Sequence, residues 1–171
     1  MKESVRFFIG LLVPAFMLAG VVASPALAQD KANDQEKLLG NWKLVSFFTE
    51  DVQTKQQNNV YGERPNGYIG FTPAGRFFAV ITADGRKAPQ TPEEQAAAFR
   101  SVFAYTGIWR VEGEKFITKV DVAWNEGWVG TEQVRFWRVE GNKLLITSAP
   151  IPNPKVPGSM MIGKLVWEKE R

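Results

Sequence analysis

The chain's 171 residues are 44% hydrophobic and 12% aromatic, with six Trp and twelve Phe, and contain neither Cys nor His. That composition excludes disulfides, a thiol nucleophile, an imidazole base, a Ser-His-Asp triad and the usual zinc, copper or haem ligand sets. The net charge of +3, from 21 basic and 18 acidic residues, makes no electrostatic case for a nucleic-acid partner, and the length suits one domain with a real core.

Residues 1–28 read as a leader rather than as fold. Lys2 and Arg6 precede an apolar run over residues 7–23, and the segment closes on Ser24-Pro25-Ala26-Leu27-Ala28. A charged start, an apolar middle and small residues at −3 and −1 make a secretory signal peptide cleaved after Ala28. The competing reading is a membrane anchor, which Pro25 and the Ala-x-Ala ending disfavour. No Cys follows for lipidation and no twin Arg precedes, so Sec-type export to the periplasm or medium is expected, with no stable membrane anchor after cleavage. All six Trp lie beyond residue 28.

Residues 29–37 are a polar lead-in, and a domain is expected over 38–171. Residues 38–48 (LLGNWKLVSFF) read as a long strand. Residues 49–67 are rich in Gln and Asn and read as an irregular surface excursion. A hairpin follows: residues 68–71, the turn Thr72-Pro73-Ala74-Gly75, then residues 76–82. Pro73 presets the turn and Gly75 supplies a positive φ. Thr91-Pro92-Glu93-Glu94 is a capping box that launches a helix from Pro92 to about Ala104, with Ala96, Phe99 and Phe103 on one side.

Beyond the helix, Trp109-Arg110-Val111-Glu112-Gly113-Glu114-Lys115 recurs 28 residues later as Trp137-Arg138-Val139-Glu140-Gly141-Asn142-Lys143. Gly-Glu and Gly-Asn suit two-residue hairpin turns with Gly first. Glu112/Lys115 and Glu140/Lys143 then become cross-strand charge pairs. A Pro-rich connection over residues 149–159 leads to a last strand over residues 162–168. About eight hairpin-linked strands and one helix predict an all-β, antiparallel barrel, with a sandwich as the alternative.

The two turns fix register, and register fixes faces. Trp109 opposes Thr118, and counting by twos adds Tyr105, Gly107, Val120, Val122 and Trp124 to that face. Trp137 opposes Ile146 and Arg135 opposes Ser148, with Gln133 alongside. The other faces carry Arg110, Lys119, Asp121 and Arg138, so the Trp faces point inward. Arg135 is then a cation on an aromatic inner wall. It either orients an anionic or carbonyl group of an apolar ligand, or stacks on a Trp to close the barrel end. Tyr105, Trp109, Thr118, Trp124, Gln133 and Trp137 are the accompanying candidate ligand contacts, with plain core as the competing reading.

Four stretches carry a resemblance: Leu39-Gly40-Asn41-Trp42-Lys43-Leu44-Val45-Ser46, Gly67-Tyr68-Ile69-Gly70-Phe71-Thr72-Pro73-Ala74-Gly75-Arg76, Trp128-Val129-Gly130-Thr131-Glu132-Gln133-Val134-Arg135-Phe136 and Leu165-Val166-Trp167-Glu168. In this order they resemble the lipocalin-like domain family of small bacterial and fungal proteins. The resemblance implies an up-and-down barrel with a ligand-sized interior. It also implies that Trp42 is covered by a basic residue of the closing strand, Lys169 or Arg171. Members of the family often carry a His pair where this chain has Thr118-Lys119, and that departure argues against catalysis.

The expected function is binding of a small, mostly apolar ligand by an exported barrel, with no catalytic residue, metal or cofactor. Two alternatives stand beside it. One is a cofactor-free isomerase or cyclase drawing on Tyr105, Asp121, Glu126, Glu132 and Arg135. The other is a periplasmic inhibitor-like barrel that binds protein through residues 150–158 or an exposed Trp128 turn.

Overall fold

The computed structural model describes residues 34–153 and 156–170, so the leader read in residues 1–28 lies outside the described residues. Ten strands follow in chain order: β1 (Gly40–Asp51), β2 (Gln57–Asn58), β3 (Asn66–Phe71), β4 (Arg76–Thr82), β5 (Val102–Glu112), β6 (Lys115–Ala123), β7 (Glu132–Glu140), β8 (Lys143–Ser148), β9 (Ile151–Pro152) and β10 (Met160–Lys169). The helix α1 (Pro92–Arg100) lies between β4 and β5. Eight strands close antiparallel in the order β1-β3-β4-β5-β6-β7-β8-β10, with β10 returning to β1, while β2 and β9 are short additions. Closure removes the free sheet edges.

The hairpin chemistry reads through to register. Trp109 faces Thr118, and Trp137 faces Ile146, with Arg135 opposite Ser148. Gly113 and Gly141 take φ near +60°, which a two-residue turn with Gly first requires. Lys115 approaches Glu112 at 3.9 Å. Glu140 sits opposite Lys143 but bonds Arg138 at 2.7 Å instead, so the second expected charge pair does not form.

Two bulges correct the simple alternation. On β6, Val120 pairs with Gly107 but Val122 pairs with Thr106, so Asp121 is an extra residue. Asp121 and Val122 then both face outward, and Val122 is 62% exposed rather than inside as the count by twos predicts. Ala123 turns inward in its place. On β1, Val45 is the extra residue between Leu44 and Ser46 and is likewise exposed. Each bulge bends its strand and increases local twist, which barrel closure uses.

The helix is shorter than its pattern predicts. It ends at Arg100, and residues 102–104 belong to β5. The Thr91/Glu94 capping box is present, yet no helix residue is buried and Phe99 stands 56% exposed. Residues 34–38 are helical and Leu38 is fully buried, so the lead-in docks on the barrel and β1 starts at Gly40 rather than residue 38. The last strand runs Met160–Lys169, longer at both ends than expected.

The two ends differ. One is closed by the tight turns at residues 72–75, 113–114 and 141–142 and by Trp42. The Trp42 indole donates to the Leu38 carbonyl at 2.8 Å, and Lys169 Nζ sits 4.7 Å above its ring. Lys169 is therefore a basic cover of Trp42, while Arg171 lies outside the described residues. The other end carries the long connections 52–65, 83–101, 124–131 and 149–159. Asp51 anchors two of these by accepting from Ser159 Oγ and from the amides of Gln53 and Thr54. Those bonds, led by Ser159, hold its carboxyl at about 2.

Candidate ligand-binding site

Inner-facing side chains divide the lumen into a filled half and a more open half. Toward the closed end, Phe71 meets Trp109 at 4.9 Å, Phe77 at 5.0 Å and Phe116 at 5.1 Å, and Phe77 meets Tyr105 at 5.1 Å. All five rings are at most 5% exposed. Trp109 also donates toward the Thr72 carbonyl in the closed-end turn. It packs as core, cross-strand from Thr118.

The inner residues of β7 keep partial exposure: Gln133, Arg135, Trp137 and Val139 are all half-buried. Arg135 lies on the inner face opposite Phe116 and Ser148. Its guanidinium stacks 5.7 Å from the Trp128 ring centre, and it donates to the Val134 carbonyl at 2.8 Å and to Gln133 Oε1 at 3.3 Å. No carboxylate among the described residues pairs with it. Gln133 in turn donates to Thr131 Oγ1 at 3.0 Å, so its amide is already engaged at both ends.

Three buried polar side-chain atoms among the described residues lack partners. Thr118, fully buried and opposite Gln133, has a hydroxyl without a partner. Trp137 Nε1, two residues from Arg135, and Trp167 Nε1 are also buried and unpaired. Burial pushes the Tyr105 phenol up while the Arg135 charge partly opposes it, so Tyr105 stays a protonated donor at neutral pH. An indole N–H and a guanidinium donate and do not accept, whereas the Tyr105 phenol and the Thr118 hydroxyl can do either. The unpaired indole N–H groups therefore call for an acceptor.

An unsatisfied buried hydroxyl costs about 1–3 kcal/mol, whereas an apolar group of the same shape avoids that cost. Thr118→Val is accordingly expected to raise the stability of the ligand-free protein by about 1 kcal/mol in urea denaturation. Lowered stability would mean that the hydroxyl has a partner in solution.

A cover of aromatics closes the open end. Phe103 meets Trp124 at 4.9 Å and Trp128 at 5.4 Å, Trp124 meets Trp128 at 5.1 Å, and Trp128 meets Tyr105 at 5.4 Å. Asn125 holds the Trp124–Trp128 turn by accepting from the Gly127 amide at 3.1 Å. From the opposite side Tyr61 stacks on Phe47 at 5.1 Å. Sequence reasoning missed Phe47, Tyr61 and Phe103 as cover residues. It placed Trp128 on an exposed turn, where the structure shows it half-buried over Arg135. Tyr61 had one signal, as the only aromatic in a polar stretch.

The carboxylates of the enzyme reading lie elsewhere. Asp121 pairs with Arg76 on the outer wall, and Glu132 pairs with Arg110 at 2.8 Å. Glu126 is exposed in the short 3₁₀ turn Glu126–Trp128. An open groove of about 1110 Å³ runs along β7, β8 and β10 beside Asp34 and Lys37; Trp137 lines it, but Arg135 and Thr118 do not.

No curated protein matches the chain. The family model of the lipocalin-like domain matches residues 39–170, which take in every strand of the closed barrel. With a closed eight-stranded barrel, one closed end and one covered mouth, the chain belongs to the lipocalin-like domain family.

Proposed function

We propose that this barrel binds a small, mostly apolar ligand whose carboxylate or carbonyl head meets Arg135 inside the lumen. The observation that carries the reading is a cation on the inner face without a carboxylate partner among the described residues. Charge-assisted bonds from a guanidinium to a carboxylate are the strong class, and a half-desolvated wall strengthens them further. Phe47, Tyr105, Trp128 and Trp137 supply the apolar body of the site. Because rings fill the lower half, such a ligand is slim or flat and enters by parting the Trp124–Trp128 cover. The leader read in residues 1–28 supports export of this binding protein. The outward placement of Asp121 and Glu132 favours binding over acid–base catalysis.

Intrinsic Trp fluorescence tests the reading, with fatty and aromatic carboxylic acids titrated against their methyl esters. The acids quench the wild-type protein. Arg135→Gln weakens acid binding by about 10- to 100-fold, the worth of a hydrogen bond to a charged group, and leaves the esters unchanged. If acid and ester bind alike in both proteins, Arg135 serves only to stack on Trp128 and the head-group assignment fails.

A further inference from the structure

Six exposed apolar side chains, Val45, Tyr68, Val80, Ile108, Val122 and Phe136, are spread over the outer wall, but the two ends of the barrel differ. Val60, Phe99, Val129, Ile151, Val156 and Met160 are each 37–56% exposed, and every one lies at the open end. Each of the four long connections contributes at least one. The closed-end turns, residues 72–75, 113–114 and 141–142, hold only Thr, Pro, Ala, Gly, Glu and Asn. Folding does not require this asymmetry, since the helix bearing Phe99 buries none of its residues. A capping box and Pro92 stabilise that helix locally instead.

We propose that the rim of the open end docks reversibly on the surface of a zwitterionic lipid bilayer, placing the mouth of the barrel against the membrane. Val60, Phe99 and Val129 stand singly on separate connections with polar residues between them, and Ile151, Val156 and Met160 lie in or beside the connection 149–159. A protein partner calls for a contiguous, closely packed patch, whereas the bilayer interface receives isolated apolar fingers one by one. Trp124 and Trp128, half-buried beside them, belong to the residue type that favours the headgroup level. The four connections carry six basic against five acidic residues. Their charge is thus nearly balanced and matches a surface with no net charge, whereas anionic-lipid recognition relies on basic clusters. The docking rests on the rim alone and does not depend on the ligand's head group.

The test uses a chain starting at Gln29, which keeps every strand of the barrel and lacks the apolar run at residues 7–23. Flotation with phosphatidylcholine vesicles recovers the protein, and brominated phosphatidylcholine quenches its Trp emission. The triple variant Phe99→Ser, Ile151→Ser, Val156→Ser lowers the partition coefficient at least about tenfold, because each change removes apolar area available to the interface. Its thermal melt is unchanged, since all three side chains are exposed. Ile108→Ser with Val122→Ser, on the outer wall, leaves partitioning as it was. Arg135→Gln also floats normally, which separates this proposal from the ligand reading. Absence of flotation, flotation that needs phosphatidylglycerol, or loss through the wall variant rather than the rim variant would overturn it.

Discussion

Replacing Gly107 by alanine is expected to destabilise the barrel by about 3 kcal/mol or more, at the upper end of what overpacking costs. A Cβ at this position would lie 2.1 Å from the Lys119 carbonyl oxygen and 2.8 Å from its carbon. These are backbone atoms of the paired strand, so no rotamer change relieves the clash. The close approach belongs to the Asp121 bulge, which draws β6 against β5 where Gly107 faces Val120. Gly75 provides the internal comparison. It has φ +83° and nothing within 4 Å of its would-be Cβ, so Gly75→Ala costs only about 1 kcal/mol of backbone strain. Urea midpoints of the two variants should therefore be well separated. Equal midpoints would mean that β6 slides freely past β5 and that the bulge is not pinned. The functional consequence is local: straightening the bulge turns Val122 inward and displaces Ala123 and the Trp124–Trp128 cover.

That bulge also marks the boundary of what the sequence makes legible. From Glu112 back to Gly107, and from Glu140 back to Arg135, a two-residue turn and strict alternation suffice to assign each face, Arg135 included. On β6 the alternation fails beyond Val120, because one extra residue inverts the next assignments on that strand, while β5 keeps it through Tyr105. Val122 has β-branched character and the right spacing, so nothing in its own identity betrays the error. The usable signal is the glycine itself, since a Gly in a strand interior marks a bulge or a close backbone approach. The helix boundary fails for a different reason. Phe99 and Phe103 stand four apart and look like one helical face, yet Phe103 packs on Tyr105 and Trp124 from within a strand. Tertiary contacts to the barrel mouth outweigh local propensity there. The cover over the site is still less legible, because Tyr61 and Phe47 meet only after an irregular connection folds back.

Trp42→Ala is expected to cost about 3–5 kcal/mol, the range for removing a large aromatic from a packed core. Trp42 is 1% exposed, and its ring fills the closed end between β3 and β10. The change also strands the Leu38 carbonyl, which loses the indole N–H at 2.8 Å, and frees Lys169 from the ring face. Trp42→Phe separates these effects: it keeps much of the packing and loses the hydrogen bond, so about 1–2 kcal/mol is expected. Trp124 supplies the opposite case. It is half-buried in the mouth cover, and its removal leaves the lower core intact. Trp124→Ala should therefore lower stability by no more than about 1–2 kcal/mol, as a half-buried aromatic loses only part of its burial energy. It should also speed ligand association, because part of the cover is gone. Stopped-flow quenching together with urea denaturation distinguishes the two ends: the Trp42 variant loses stability, and the Trp124 variant changes rates. If Trp124→Ala proves as destabilising as Trp42→Ala, the mouth aromatics are core rather than a cover, and the ligand must reach Arg135 by another route.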